Sequence, residues 1–282
     1  MFSATERKFI NEGRVITIGY RVDQAPVSYI TDEATFAGVT RDIFDDLSKI
    51  SGLRFAYRPC PPGAANLTWL ENNHIRVVTG VPFDRKSCPE NNLLLSRPYF
   101  NNEYVFMCRK NTAYDPQKKM RVAVKAGMPC LEKKLRVTYP NFVVKTYTKA
   151  DQAFCAAELD DVDYVAINRW RAQSFIAKPR FANMELSVLS PVEYPVAIGV
   201  LHYYVPQKGV DEWDSATFIS IMNKAIAALD AKRVAQQAAA PRECGVEEHG
   251  LLDYVYRWQY PICALMALGA CAAACCLARR KK

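Results

Sequence analysis

The sequence predicts an α/β protein of two lobes followed by one membrane-spanning helix, and three observations carry that reading. Segments of strand character alternate with helical ones from about Arg14 to Asp230, the pattern of helices layered on a sheet. The alternation runs twice, with the polar stretch from Asn111 to Lys119 between the runs. Near the end, an uncharged stretch from Tyr260 to Ala278 is followed at once by Arg279, Arg280, Lys281 and Lys282.

Residues 1–13 are read as an N-terminal helix, carried by Glu6-Arg7-Lys8-Phe9-Ile10, and residues 14–110 as the first lobe. There Arg14 to Tyr20 is a β-branched run and so a strand. Ile43, Phe44, Leu47 and Ile50 recur at helical spacing, and Gly52 is placed to cap that helix. Leu53 to Tyr57 follows as a strand, Ala64 to Asn73 as a short helix, and Ile75 to Val81 as another strand. This is a βαβαβ unit.

Residues 111–193 form a second lobe of the same kind. Arg121 to Val124, Phe142 to Thr146 and Val162 to Ile167 are its strands, and Leu131 to Val137 and Ala150 to Leu159 its helices. Residues 194–232 return to the first lobe through the strand Pro195 to Val200. The return ends in a helix whose apolar face is Phe218, Ile221, Met222, Ala225 and Leu229. Asp214 and Ser215 are its cap candidates. Because parallel sheets bind ligands beyond the carboxyl ends of their strands, two such sheets facing each other predict a ligand cleft between the lobes.

Residues 233–257 read as a linker, 258–278 as a transmembrane helix and 279–282 as a cytoplasmic basic tail. A helix of roughly 19 residues spans about 28 Å, close to the ~30 Å hydrocarbon core. Four cations at its far end against a lone Arg257 at its near end orient it by the positive-inside rule, with the N-terminal domain extracytoplasmic. A buried core helix is the competing reading, since Ala and Cys are only mildly apolar, but core helices rarely abut such a basic cluster. Gly269 and Ala273 leave room for two such helices to pack, which allows a homodimer. Met1 to Lys8 carries no apolar leader, so an external domain is expected to have an export signal upstream.

The formal charge of +8 falls when the tail is set aside, leaving 33 Lys and Arg against 29 Asp and Glu. So small a surplus, dispersed along the chain, argues against nucleic acid as a partner. Six of the ten cysteines lie in the part read as external, where disulfides are allowed and six cysteines permit 15 pairings. No Gly-x-Ser-x-Gly, His-Glu-x-x-His or phosphate-loop pattern occurs, and His74, His202 and His249 lie far apart. Cys-x-x-Cys is absent as well. The expectation is a protein that is not an enzyme and holds no metal or cofactor.

Six short segments then resemble a known family in their order and spacing. They are Glu6 to Ile10 leading into Ile16-Thr17-Ile18-Gly19-Tyr20, Ala25-Pro26-Val27-Ser28-Tyr29, Gly38-Val39-Thr40-Arg41-Asp42-Ile43, Ser96-Arg97-Pro98-Tyr99-Phe100, Val162-Asp163-Tyr164-Val165-Ala166, and Met222-Asn223-Lys224-Ala225-Ile226. From about Thr5 to Leu229 the chain resembles the family 3 extracellular solute-binding domains, which have the two-lobed, type II periplasmic-binding-protein fold. Members bind amino acids for import or act as sensing modules of bacterial membrane receptors. A C-terminal anchor resembles the sensor branch, where such domains precede a histidine kinase or a diguanylate cyclase.

The resemblance also implies site residues. An arginine of the first lobe clamps the ligand carboxylate in amino-acid-binding members, and Arg85 stands at the matching place. Where the family places an aspartate for the ligand's ammonium, this chain has Asn168, with Arg169 just beyond it. The second-lobe turn reads Gly127-Met128-Pro129-Cys130 and lacks the hydroxyl that relatives offer. Tyr29 and Tyr99 are the candidate aromatic walls. Cys60 and Cys88 both follow first-lobe strands, which leaves open a disulfide beside the cleft. The expected function is sensing of a small extracellular molecule, an amino acid or related solute, by lobe closure. A receptor feeding an importer and a domain that has lost its ligand are the alternatives.

Overall fold

The computed structural model describes residues 1–61, 67–83, 93–201, 213–230 and 234. In chain order the elements are α1 (Ala4–Asn11), β1 (Val15–Arg21), β2 (Asp23–Gln24), β3 (Ser28–Ile30), β4 (Phe36–Ala37), α2 (Val39–Ser51), β5 (Arg54–Cys60), α3 (Leu67–Asn72), β6 (Val77–Pro82), β7 (Leu93–Leu95) and β8 (Phe100–Arg109). They continue with β9 (Met120–Lys125), α4 (Pro129–Thr138), β10 (Phe142–Tyr147), α5 (Ala150–Glu158), β11 (Tyr164–Asn168), α6 (Arg169–Ile176), β12 (Met184–Leu186), β13 (Val192–Leu201) and α7 (Ser215–Ala227).

Among the described residues a 10-stranded sheet runs through the molecule in the order β10-β9-β11-β8-β13-β6-β1-β5, with β12 beside β8 and β7 beside β13. Each lobe contributes three parallel strands: β5-β1-β6 in the first and β10-β9-β11 in the second. The long strands β8 and β13 cross between the lobes as an antiparallel pair, Val192 opposite Tyr104 through Val196 opposite Phe100. On their outer sides β8 pairs with β11 of the second lobe and β13 with β6 of the first, so this pair joins the two lobes into one sheet.

The helices form where apolar periodicity and caps coincide. On α2, Ile43, Phe44 and Leu47 are wholly buried, and Gly52 ends the helix in the left-handed conformation, φ 77°. Asp214 caps α7 by accepting from the amides of Ala216 and Thr217, while Phe218, Ile221, Met222 and Ala225 face the first-lobe core with α2. Ser3 and Glu6 form a capping box on α1. Glu6 also reaches Lys224 Nζ and Ser220 Oγ of α7, each at 2.7 Å. That bond network holds its carboxyl down at about 2, with the Lys224 contact the largest cause.

The second lobe has its own aromatic core, in which Phe154, Phe175 and Phe181 meet at centroid distances of 4.5 to 5.0 Å. Among the described residues no helix is long and apolar enough to cross a membrane. The expected membrane run, Tyr260 to Ala278, lies outside the described residues.

The Cys60–Cys88 disulfide that the sequence leaves open is not formed: Cys60 is a free, buried thiol. Its sulfur lies 3.0 Å from the place a Cβ on Gly19 would take, so it fills a core slot between β1 and β5. Burial there pushes the thiol up to about 12. Cys88 lies outside the described residues. Cys130, at the head of α4, is disulfide-bonded.

Candidate functional site

The carboxyl ends of the second-lobe strands converge on one cavity of about 60 Å³, and the first lobe closes its far side. Lys125 ends β9, Lys149 precedes α5 after β10, and Asn168 ends β11 with Arg171 in the first turn of α6; all four line the cavity. The three helices that follow these strands begin there too, through Met128, Ala150 and Asn168. The helix dipoles of α4 and α5 add partial positive charge there, while the first amides of α6 are capped by Asn168. Asn102 and Tyr104 enter from the crossing strand β8, and Tyr104 Oη lies 3.5 Å from Met128 Sδ.

Gln24, Ala25 and Val27 supply the first-lobe wall. Gly38 holds that wall in place. Its φ is +114°, and a Cβ there would stand 2.6 Å from the Val27 carbonyl oxygen and 2.8 Å from that of Pro26. The close approach lets the amides of Val39 and Thr40, at the start of α2, donate to those two oxygens at 3.2 and 2.9 Å. The N-terminus of α2 is thus spent on backbone, as that of α6 is on the Asn168 side chain.

The residues singled out from the sequence scatter around this cavity. Asn168 lines it, but its Oδ1 accepts from the amides of Trp170 and Arg171 at 3.0 and 3.4 Å, and its amide group donates to Asn102 Oδ1. Arg169 turns away to pair with Glu103. Tyr29, on β3, is buried and does not line the cavity. Tyr99 packs in the first-lobe core, edge-on to Phe44, and its hydroxyl accepts from the Gly80 amide at 3.0 Å. Burial pushes that phenol up to about 12. Trp170 starts α6 and lies over Phe100 at 5.2 Å. Arg85 lies outside the described residues.

Sequence reasoning passed over Lys125, Lys149, Arg171 and Asn102. The signal for the three cations was present, because each stands at a strand-to-helix turn on the ligand edge of a parallel sheet. Burial pattern alone reveals Asn102: it is a buried amide inside a strand, and buried amides find partners.

Comparison with protein families matches residues 16–240 to the bacterial extracellular solute-binding proteins, family 3. The chain belongs to this family. Solved structures of family-like shape agree on the two-lobed fold. The periplasmic VFT2 domain of Bordetella pertussis BvgS superposes with a TM-score of 0.64 at 19% identity, covering 85% of this chain and 98% of that one. A histidine kinase sensor domain with similarity to periplasmic binding proteins gives 0.58 at 15%, covering 81% and 95%. A Salmonella typhimurium periplasmic binding protein of high arginine specificity gives 0.59 at 14%, covering 79% and 97%. No curated protein matches the chain in sequence. At such identities the likeness carries the fold, and ligand chemistry has to be argued from this family member's own cleft.

Proposed function

We propose that this chain is the ligand-reading domain of a single-pass bacterial membrane receptor, which holds a small molecule between its lobes and signals by closing on it. The observation that carries the reading is the two-sided cavity. A molecule touching Ala25 and Val27 on one wall and Lys125, Met128 and Lys149 on the other is bound best when both walls meet it. Ligand binding therefore favours the closed state by the difference in affinity between the two states. The crossing strands β8 and β13 are where the lobes turn.

A sensing role is supported by the BvgS and histidine kinase sensor domains that share this shape. The apolar run before Arg279 to Lys282 supports a C-terminal anchor, with the folded domain extracytoplasmic. A cytoplasmic kinase or cyclase is the class of output partner. Closure moves α7, which leads through the segment from Leu251 to Tyr256 toward the anchor. Arg85 is the proposed first-lobe contact to the ligand. We read the cleft as non-catalytic: among its described lining residues no histidine, serine, cysteine or carboxylate stands beside the lysines and Tyr104 to complete a nucleophile and base pair.

Import is the second reading, favoured by the likeness to the arginine-binding protein. A permease and an ATPase encoded beside this chain would support it. Arginine itself fits poorly, since no Asp or Glu lines the cavity among the described residues.

A thermal-shift screen of small metabolites tests the reading, run on the wild-type protein and on Ala150→Trp, which plugs the cavity from a half-buried position. Saturable stabilisation of the wild type by at least one compound, lost in the variant, is the expected result. Stabilisation by no compound, or equally in both proteins, would overturn it.

A further inference from the structure

We infer that the part of the ligand enclosed in this cavity is a short aliphatic body, and that Met128 sets the preference for it; this rests on the cavity being the solute site. The floor is built from the second-lobe core: Ala123, Ala153 and Ile167 belong to that core, are buried and line the cavity. Met128, also buried, adds its thioether from the cap of α4, and Val27 completes the apolar surface from the first lobe. Carbon placed against such a surface leaves water on both sides of the contact, which is favourable in proportion to the area covered.

Most polar side chains of the lining are already engaged. Asn168 Oδ1 accepts from the amides of Trp170 and Arg171 at 3.0 and 3.4 Å, and its Nδ2 donates to Asn102. Tyr104 Oη donates to Met128 Sδ at 3.5 Å. Lys125 and Lys149 make contacts of their own within the chain. A ligand hydroxyl set among these groups competes with bonds already made, and one set on the aliphatic floor gives up water without a partner. A single polar end of the ligand is met by Gln24 or Arg171, which complete the polar lining.

Size bounds the aliphatic body. At about 60 Å³, against roughly 10–15 Å³ for one water, the cavity holds about four to six atoms of that size, or about three or four carbons and the start of a polar end. Met128 is the longest aliphatic side chain among the described lining residues. An unbranched thioether moulds itself to carbon neighbours, whereas the alanines around it are too short to select between ligands.

The test is a thermal-shift and calorimetric titration of the whole chain with pairs of probes that differ by a methyl for a hydroxyl: isobutyramide against lactamide, isobutyrate against lactate, and valine against threonine. The polar end changes from pair to pair, so its charge is not presupposed. In at least one pair the methyl member should bind below about 10 mM, within reach of so few atoms. It should bind about tenfold to a hundredfold tighter than its hydroxyl partner. Met128→Gln, similar in length but polar, should cut that preference to about threefold or less, while Met128→Leu, close in volume, keeps it. The inference is overturned if none of these probes binds below that concentration, or if the hydroxyl member matches or exceeds its partner in every pair that binds. A preference that survives Met128→Gln overturns it as well, and the wild-type pairs decide alone if that variant does not fold. The broader reading is decided separately, since it stands if any metabolite stabilises the wild type and not Ala150→Trp, whatever these probes do.

Discussion

Asn168 of β11 donates its side-chain amide to Asn102 of β8, tying the last strand of the second-lobe sheet to the strand that crosses between lobes. Both residues line the cavity, and the link between them is neutral. Asn168→Asp is nearly isosteric, and Asp is as good a helix N-cap as Asn. Asn102 can turn its amide to donate instead. The substitution should change stability by less than about 1 kcal/mol, as denaturant unfolding of the two proteins would show. A much larger loss would mean that Asn102 cannot turn its amide to meet the carboxylate.

Glu6 supplies a second test, on the stability link. Its bonds to Lys224 and Ser220 join α1 to α7, and Lys224 is 39% exposed, so solvent screens part of the attraction. Glu6→Gln should cost about 1–2 kcal/mol, a fall of about 2–8 °C in melting temperature. The sign with pH follows from the depressed carboxyl. Its ordinary value is 4.5 and its folded value about 2, so its contribution is complete above 4.5 and drains away as pH falls toward 2. Melting temperatures measured from pH 6 downward, roughly, should converge for wild type and variant across that window. A constant gap between them would refute the linkage.

Gly38 sets the first-lobe wall. An alanine there meets the carbonyl oxygens of Val27 and Pro26 at under 3 Å in a backbone conformation that L-residues rarely adopt. Gly38→Ala should destabilise the protein by about 1–3 kcal/mol and weaken ligand binding as well, because Ala25 and Val27 are displaced with the segment. Denaturant unfolding and ligand titration on the same preparation check both. Destabilisation with intact binding would show that the Gln24–Val27 wall does not touch the ligand.

Arg85 is the first-lobe contact proposed from the family pattern. Arg85→Ala should abolish ligand-induced thermal stabilisation while leaving the ligand-free stability within about 0.5 kcal/mol of wild type. Full stabilisation in the variant would remove Arg85 from the site.

Much of the fold was legible because its parallel strands are continuous β-branched runs and its main helices carry one apolar stripe. β1, β6, β9 and β11 of the first kind and α2 and α7 of the second all stand where the pattern puts them. The crossing strand β8 was not legible. Its first half, Phe100-Asn101-Asn102-Glu103, breaks the apolar alternation, because Asn102 serves the cleft and Glu103 holds Arg169. β2, β3 and β4 are two or three residues long, too short for any periodicity. Neither candidate tyrosine lines this cavity. Tyr99 spends its hydroxyl on the Gly80 amide inside the lobe, whereas the cations that line the cavity are ordinary lysines and an arginine, distinguished by place in the topology and by nothing in their neighbours. Cys60 shows the same limit, since its place after a strand leaves a bridge open while the structure holds it as a free thiol packed beside Gly19.

Hydrogen exchange on the intact chain, with and without saturating amounts of the compound that raises its melting temperature most, tests the central claim directly. If a solute closes the two lobes upon itself, amides slow together on both walls: in residues 24–28 of the first lobe and in residues 126–131 and 150–153 of the second. Protection confined to one lobe, or lying away from both walls, would contradict the account.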